Sequence, residues 1–122
     1  MYLVVFCFKI LYNETVDTVL VIPARMQSTR LPQKPLLKRN GITLIETVWR
    51  QCVQTGFDVI VATDHEDIAR EVDAFRGQAV MTRSETPTGT DRCAEAVYQT
   101  NYKYVINVQG DMPYITPEQI VE

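Results

Sequence analysis

The run Phe57–Ala62, FDVIVA, is the strongest constraint on what this chain can fold into. It is near-continuously apolar rather than alternating, the pattern of a strand buried on both faces. Such a strand needs helices above and below it, and the flanking sequence supplies helical patterns. Before it, Thr43-Leu-Ile-Glu46 reads as a capping box that opens a helix. Leu44, Ile45, Val48, Trp49, Cys52 and Val53 form that helix's apolar stripe, and Gly56 ends it in the C′ position. After it, Asp64 is expected to cap the next helix, with Ile68, Ala69, Val72 and Phe75 as its stripe and Gly77 as its stop. Thr18–Ile22, Gln78–Met81 and Tyr104–Val108 read as further strands, with a helix from about Thr90 to Thr100 between the last two. Leu36–Lys38 reads as a short extended segment before a turn at Asn40–Gly41. Strand and helix alternate with short links. The expected fold is therefore α/β, a mostly parallel sheet flanked by helices.

Val19–Leu37 adds chemistry to that frame. The β run breaks at Pro23, and Arg25, Arg30 and Lys34 follow in one polar loop with Gln27, Ser28 and Thr29, stiffened by Pro32 and Pro35. In open α/β sheets ligands sit outside the carboxyl ends of the strands, where these cations would suit a polyphosphate. The plainer alternative is a solvated basic loop. With a net charge of −3, the loop is a local feature of an acidic chain, which argues against general nucleic-acid binding. Two other loops fall on the same edge, Arg83–Asp91 and Gln109–Asp111. Gly89 and Thr90 stand at a helix N-terminus, which favours an anion, although Thr90 also reads as a simple N-cap. Asp111 follows Gly110, where it is either a turn former or a ligand for Mg²⁺. His65 reads as a surface residue of its turn. Neither GxGxxG nor GxxxxGK[ST] occurs, which removes the main support for a dinucleotide or P-loop site.

The 122 residues suffice for one modest core. Cys7, Cys52 and Cys93 are odd in number and widely spaced, which suggests reduced thiols in a cytoplasmic protein. Met1–Tyr12 is apolar, but it is shorter than a spanning helix and interrupted by Lys9. It also lacks the basic region and cleavage site of a signal peptide. Residues 1–16 therefore read as an extension, either an additional strand or a product of start-site choice, and residues 17–122 as one domain. Thr116-Pro117-Glu118-Gln119 has the signature of a helix start, yet the chain stops at Glu122. The expectation is the front part of a longer protein.

Four segments, IPARMQSTRLPQKPL, VIVATDHEDIA, VMTRSETPTGTDRCAEA and VINVQGDMPYI, closely resemble the 3-deoxy-manno-octulosonate cytidylyltransferases in order and spacing. The resemblance runs from about Thr18 to Glu122 and implies that residues 17–122 are a nucleotide-binding domain. It implies a Rossmann-like nucleotidyltransferase fold, incomplete at the C-terminus. It also implies a reaction of CTP with a 3-deoxy-octulosonic acid (Kdo), giving CMP-Kdo and pyrophosphate for lipopolysaccharide biosynthesis. By motif, Arg25, Arg30 and Lys34 would bind the triphosphate, while Arg83, Thr88 and Gln109 would hold the cytidine beside Gly89 and Thr90. Asp111 would bind Mg²⁺, and Arg25, Lys34 and Asp111 would carry the catalysis. The family is homodimeric and acts on an acidic sugar, with no nucleic-acid or membrane partner. This sequence departs from it at Thr88, where the family usually has Ser, and at Met112, where it usually has Glu. The family's other half supplies a second metal-binding carboxylate, much of the sugar pocket and the dimer interface. Two further readings follow, a CTP-binding chain without catalysis and a cytidylyltransferase for a sialic or other nonulosonic acid.

Overall fold

A computed structural model describes residues 4–5, 17–25, 34–98 and 100–108, with the side chains of Val4, Val5 and Lys34 excepted. The elements in chain order are β1 (Val4–Val5), β2 (Thr18–Ala24), β3 (Lys38–Arg39), β4 (Ile42–Thr43), α1 (Leu44–Val53), β5 (Asp58–Thr63), α2 (Glu66–Ala74), β6 (Ala79–Met81), α3 (Gly89–Val97) and β7 (Tyr104–Asn107). The main sheet has the order β1-β7-β2-β5-β6. β2, β5, β6 and β7 are parallel, and β1 runs antiparallel to β7 with Val4 opposite Asn107. The expected mostly parallel α/β sheet is what forms.

Alternation along the central strands divides the core in two. Leu20, Ile22, Ala24 and Val61 face one way, into a cluster with Ile45, Val48 and Cys52 of α1 and Ile68 and Val72 of α2. Val19, Val21, Ile60 and Ala62 face the other way, onto Cys93 and Ala96 of α3. Both faces of β2 and β5 are thus dry, which is why their sequences lack alternation. Burial also pushes the Cys52 and Cys93 thiols up to about 12, with the Arg92 charge partly opposing it at Cys93.

Several local expectations change. β2 does not break at Pro23 but continues to Ala24, with Pro23 opposite Ala62 of β5. The described β7 ladder ends at Val21, so the missing N–H of Pro23 falls beyond that pairing. The segment expected to be extended at Leu36–Lys38 is instead a 3-10 turn, Lys34–Leu36, followed by the β3–β4 hairpin around Asn40 and Gly41, both at positive φ. His65, not Asp64, caps α2, its Nδ1 accepting the N–H of Asp67 at 3.1 Å. Gly77 does not supply the left-handed residue after α2, since Arg76 does, at φ 68°. Gly77 supplies room instead. A Cβ there would lie 2.8 Å from Cε1 of Phe75 and 2.9 Å from Cγ1 of Val72.

The strand order positions the site. The chain moves outward from β2 to β5 and β6, then returns through α3 to β7 on the far side of β2. The β2-to-β5 connection carries α1 on one face and the β6-to-β7 connection carries α3 on the other, and crevices for ligands form at such a switch point.

Candidate active site

At that switch point the end of β2 meets the start of α3 across a cleft of about 350 Å³. It is lined by Pro23, Ala24, Arg25, residues 86–89 and Arg92. Pro23 and Gly89 are its hinge of contact. A Cβ on Gly89 would stand 3.3 Å from Cγ of Pro23, so the bare glycine lets the helix start lie against the strand end.

α3 begins one residue earlier than expected, at Gly89, and its N-cap is Thr88 rather than Thr90. The Thr88 hydroxyl accepts the Asp91 N–H at 3.0 Å and donates to the Asp91 carboxylate at 2.8 Å, while the Thr88 carbonyl takes the Arg92 N–H. Gly89 and Thr90 are left as the first amides facing outward. The Asp91 carboxylate at this end offsets much of the helix's positive pole. The same cleft carries the positive charges of Arg25 and Arg92. Thr90 is exposed, and its hydroxyl accepts from Nδ2 of the buried Asn107 on β7 at 3.5 Å. Oδ1 of Asn107 has no partner among the described residues.

Arg92 and Glu95 were not singled out from the sequence, yet they organise the loop before α3. Arg92 is only 3% exposed. Its Nη1 donates to the Thr82 hydroxyl and to the Arg83 carbonyl (3.0 Å), and its Nη2 lies 4.0 Å from the Asp64 carboxylate. Glu95 accepts the Arg83 N–H at 2.8 Å and the Thr86 hydroxyl at 2.6 Å, with Nε of Arg83 at 3.6 Å. The Thr86 hydroxyl, joined by the N–H and charge of Arg83, holds the Glu95 carboxyl below its usual range, with partial burial opposing. The available signal was an Arg and a Glu three apart on one helix, directly after a polar loop.

Of the residues named from sequence, Arg25, Thr88 and Gly89 come together in the cleft. Thr90 lies one residue behind its wall. Arg83 does not line it; its side chain is exposed and reaches Glu95. Arg30, Gln109 and Asp111 lie outside the described residues, as do the side chain of Lys34 and the helix start at Thr116. Among the described residues no cluster of three acidic, histidine or cysteine side chains could hold a metal ion, and no helix is long and apolar enough to cross a membrane.

Comparison with known proteins agrees on one family. A cytidylyltransferase family model matches residues 19–122. The chain is 47% identical over 112 residues to a 3-deoxy-manno-octulosonate cytidylyltransferase of Cytophaga hutchinsonii, covering 88% of this chain and 45% of that protein. It is 46% identical over 111 residues to the protein of the same name from Rickettsia conorii, covering 87% and 45%. Among solved structures, a CMP:2-keto-3-deoxy-manno-octonic acid synthetase complexed with CTP superposes with a TM-score of 0.83 at 42% identity, covering 86% of this chain and 44% of that one. The chain thus spans about half the length of the curated relatives it matches.

Proposed function

The chain belongs to the cytidylyltransferase family, and on that premise we propose that it binds CTP at the carboxyl ends of β2 and β7. There it serves in the activation of a 3-deoxy-octulosonic acid to its CMP derivative, with release of pyrophosphate. The observation that carries this reading is the cleft. Arg25, Thr88 and Gly89 come from two segments far apart in sequence, and both segments carry the resemblance to proteins of that activity.

The assigned roles follow the local chemistry. Arg25, Arg30 and Lys34 bind the triphosphate, because fixed cations match charge that grows on a pyrophosphate leaving group. Thr88, Gly89 and Thr90 receive the uncharged cytidine portion, with Arg83 and Gln109 completing its contacts. The hydroxyl of the acid attacks the α-phosphorus in line, and the protein's contribution is to hold that line. Mg²⁺ on Asp111, a hard carboxylate donor just past β7, would supply further charge to the phosphate oxygens. An acidic sugar acceptor and a cytoplasmic place of action belong to the same reading.

Thermal unfolding with Mg²⁺, comparing CTP with ATP at equal concentration, tests it. A ligand that binds only the folded chain adds roughly 2.7 kcal/mol at about 100 times its Kd. A clear CTP-specific rise, abolished by Arg25→Ala, is the expected result, and a cooperative melt indifferent to CTP overturns the reading. Since the chain spans about half the length of its relatives, pyrophosphate release in the presence of the acid then separates turnover from CTP binding alone.

A further inference from the structure

We propose that Arg92 and Glu95 are positioning residues for base recognition, holding the 82–86 loop so that the cleft wall at residues 86–89 discriminates cytosine from uracil. This rests on the CTP reading above. Cytosine and uracil have the same shape and differ in hydrogen-bond polarity at two ring positions. A protein separates them only with donors and acceptors that stay in register. Short hydroxyls and backbone amides, the groups this wall offers, cannot reach to compensate for a shifted loop.

The clamp meets that need from one helix face. Glu95 takes the N–H of Arg83, and Arg92 takes its carbonyl, so both polar atoms of that residue's main chain are held by α3. Arg92 also takes the Thr82 hydroxyl and Glu95 the Thr86 hydroxyl, which ties down both ends of the loop. The Thr82 N–H is joined in turn to the Thr63 carbonyl at the end of β5 (2.8 Å), so the loop is fixed to the sheet as well as to the helix. Arg92 is itself part of the cleft lining. Neither side chain needs to touch the base to set where Thr86 and Thr88 stand.

The test is the ratio of CTP to UTP dissociation constants, by calorimetry on the full chain with Mg²⁺, for wild type, Glu95→Ala, Glu95→Gln and Arg92→Lys. Glu95→Ala is expected to bring the ratio at least fivefold closer to one while changing UTP affinity less than twofold. Glu95→Gln keeps one acceptor oxygen, for the Arg83 N–H, and turns its NH2 to the Thr86 oxygen in place of the second acceptor, so it is expected to restore part of the ratio. Arg92→Lys loses the second donor of the fork and falls between them. Equal weakening of both nucleotides at an unchanged ratio would mean a structural role only, and would overturn the proposal. A wild-type chain that does not prefer CTP defeats the CTP reading itself. A preferring wild type with indifferent variants defeats only the clamp. Should Arg92→Lys fail to fold, the two Glu95 variants decide the matter alone.

Discussion

At the start of α1, the Thr43 hydroxyl accepts the Glu46 N–H; at the start of α3, the Thr88 hydroxyl accepts the Asp91 N–H. The local sequence pattern is the same, a threonine followed three residues later by an acid. The outcomes differ. Thr43 is 2% exposed and donates across to the Glu71 carboxylate of α2 at 2.8 Å, while Glu46 turns away to Arg50. The first cap is thereby committed to joining two helices over the core. Thr88 is exposed, its hydrogen bonds stay within its own turn, and it lies across from Arg25 at the end of β2. Cap chemistry is local, but whether a cap becomes a binding wall depends on which strand end the helix meets.

Substitutions on the α1–α2 side should therefore cost stability and leave nucleotide binding alone, and the largest effect is expected at Gly77. Gly77→Ala puts a methyl against Phe75 and Val72, a clash that should lower the stability measured in urea by about 2 kcal/mol. CTP affinity, measured well below the melting point, should not change. Thr43→Ala removes a cap and leaves the Glu71 carboxylate without that partner, for a loss of about 1.5 kcal/mol and again no change in CTP affinity. A weakened CTP affinity in either variant would break the comparison.

On the α3 side the balance should reverse. Thr88→Ala should cost only about 0.5 kcal/mol of stability, since its partners are exposed to water. CTP affinity should fall on the order of tenfold, about 1.4 kcal/mol. Calorimetric titration beside a urea melt gives both numbers from one preparation. If Thr88→Ala lost stability alone, both threonines would be ordinary caps.

The contrast also explains what could be read in advance. The layered parallel sheet was legible because Phe57–Ala62 and Thr18–Ile22 are apolar apart from Asp58 and Thr18, the pattern of a strand covered on both faces. Arg25 and Gly89 were legible as site candidates because a parallel sheet brings the loops after its strands to one edge, and Thr88 through the family motif around it. Less legible were roles set by contacts distant in sequence. Thr43 reads as a capping box, but nothing local says that Glu71 will occupy its hydroxyl. Gly77 reads as a helix stop, but its reason is space for Phe75 and Val72. Arg92 reads as one more charge on a surface helix, and its burial follows from Asp64 and residues 82–83 closing over it. His65 displaced Asp64 as a cap because its imidazole nitrogen reaches the Asp67 N–H.

Acid should separate the two helix starts by the smallest but most specific margin. The folded-state pKa of Glu95 lies below its ordinary value of 4.5, chiefly through the Thr86 hydroxyl and then the Arg83 N–H. A carboxyl shifted in that direction binds its proton more readily once the loop is released. Its contribution is therefore complete above the ordinary value, and is lost as pH falls through the lower folded value. As pH falls below that ordinary value, the Arg83 amide should lose hydrogen-exchange protection ahead of global unfolding, while the amides of α1 over the core keep theirs. Glu95→Gln should remove that pH dependence while keeping one acceptor oxygen for the Arg83 N–H. Simultaneous loss at α1 and at residue 83 would show that the loop opens only with the whole domain, and that the two regions are less independent than their contacts imply.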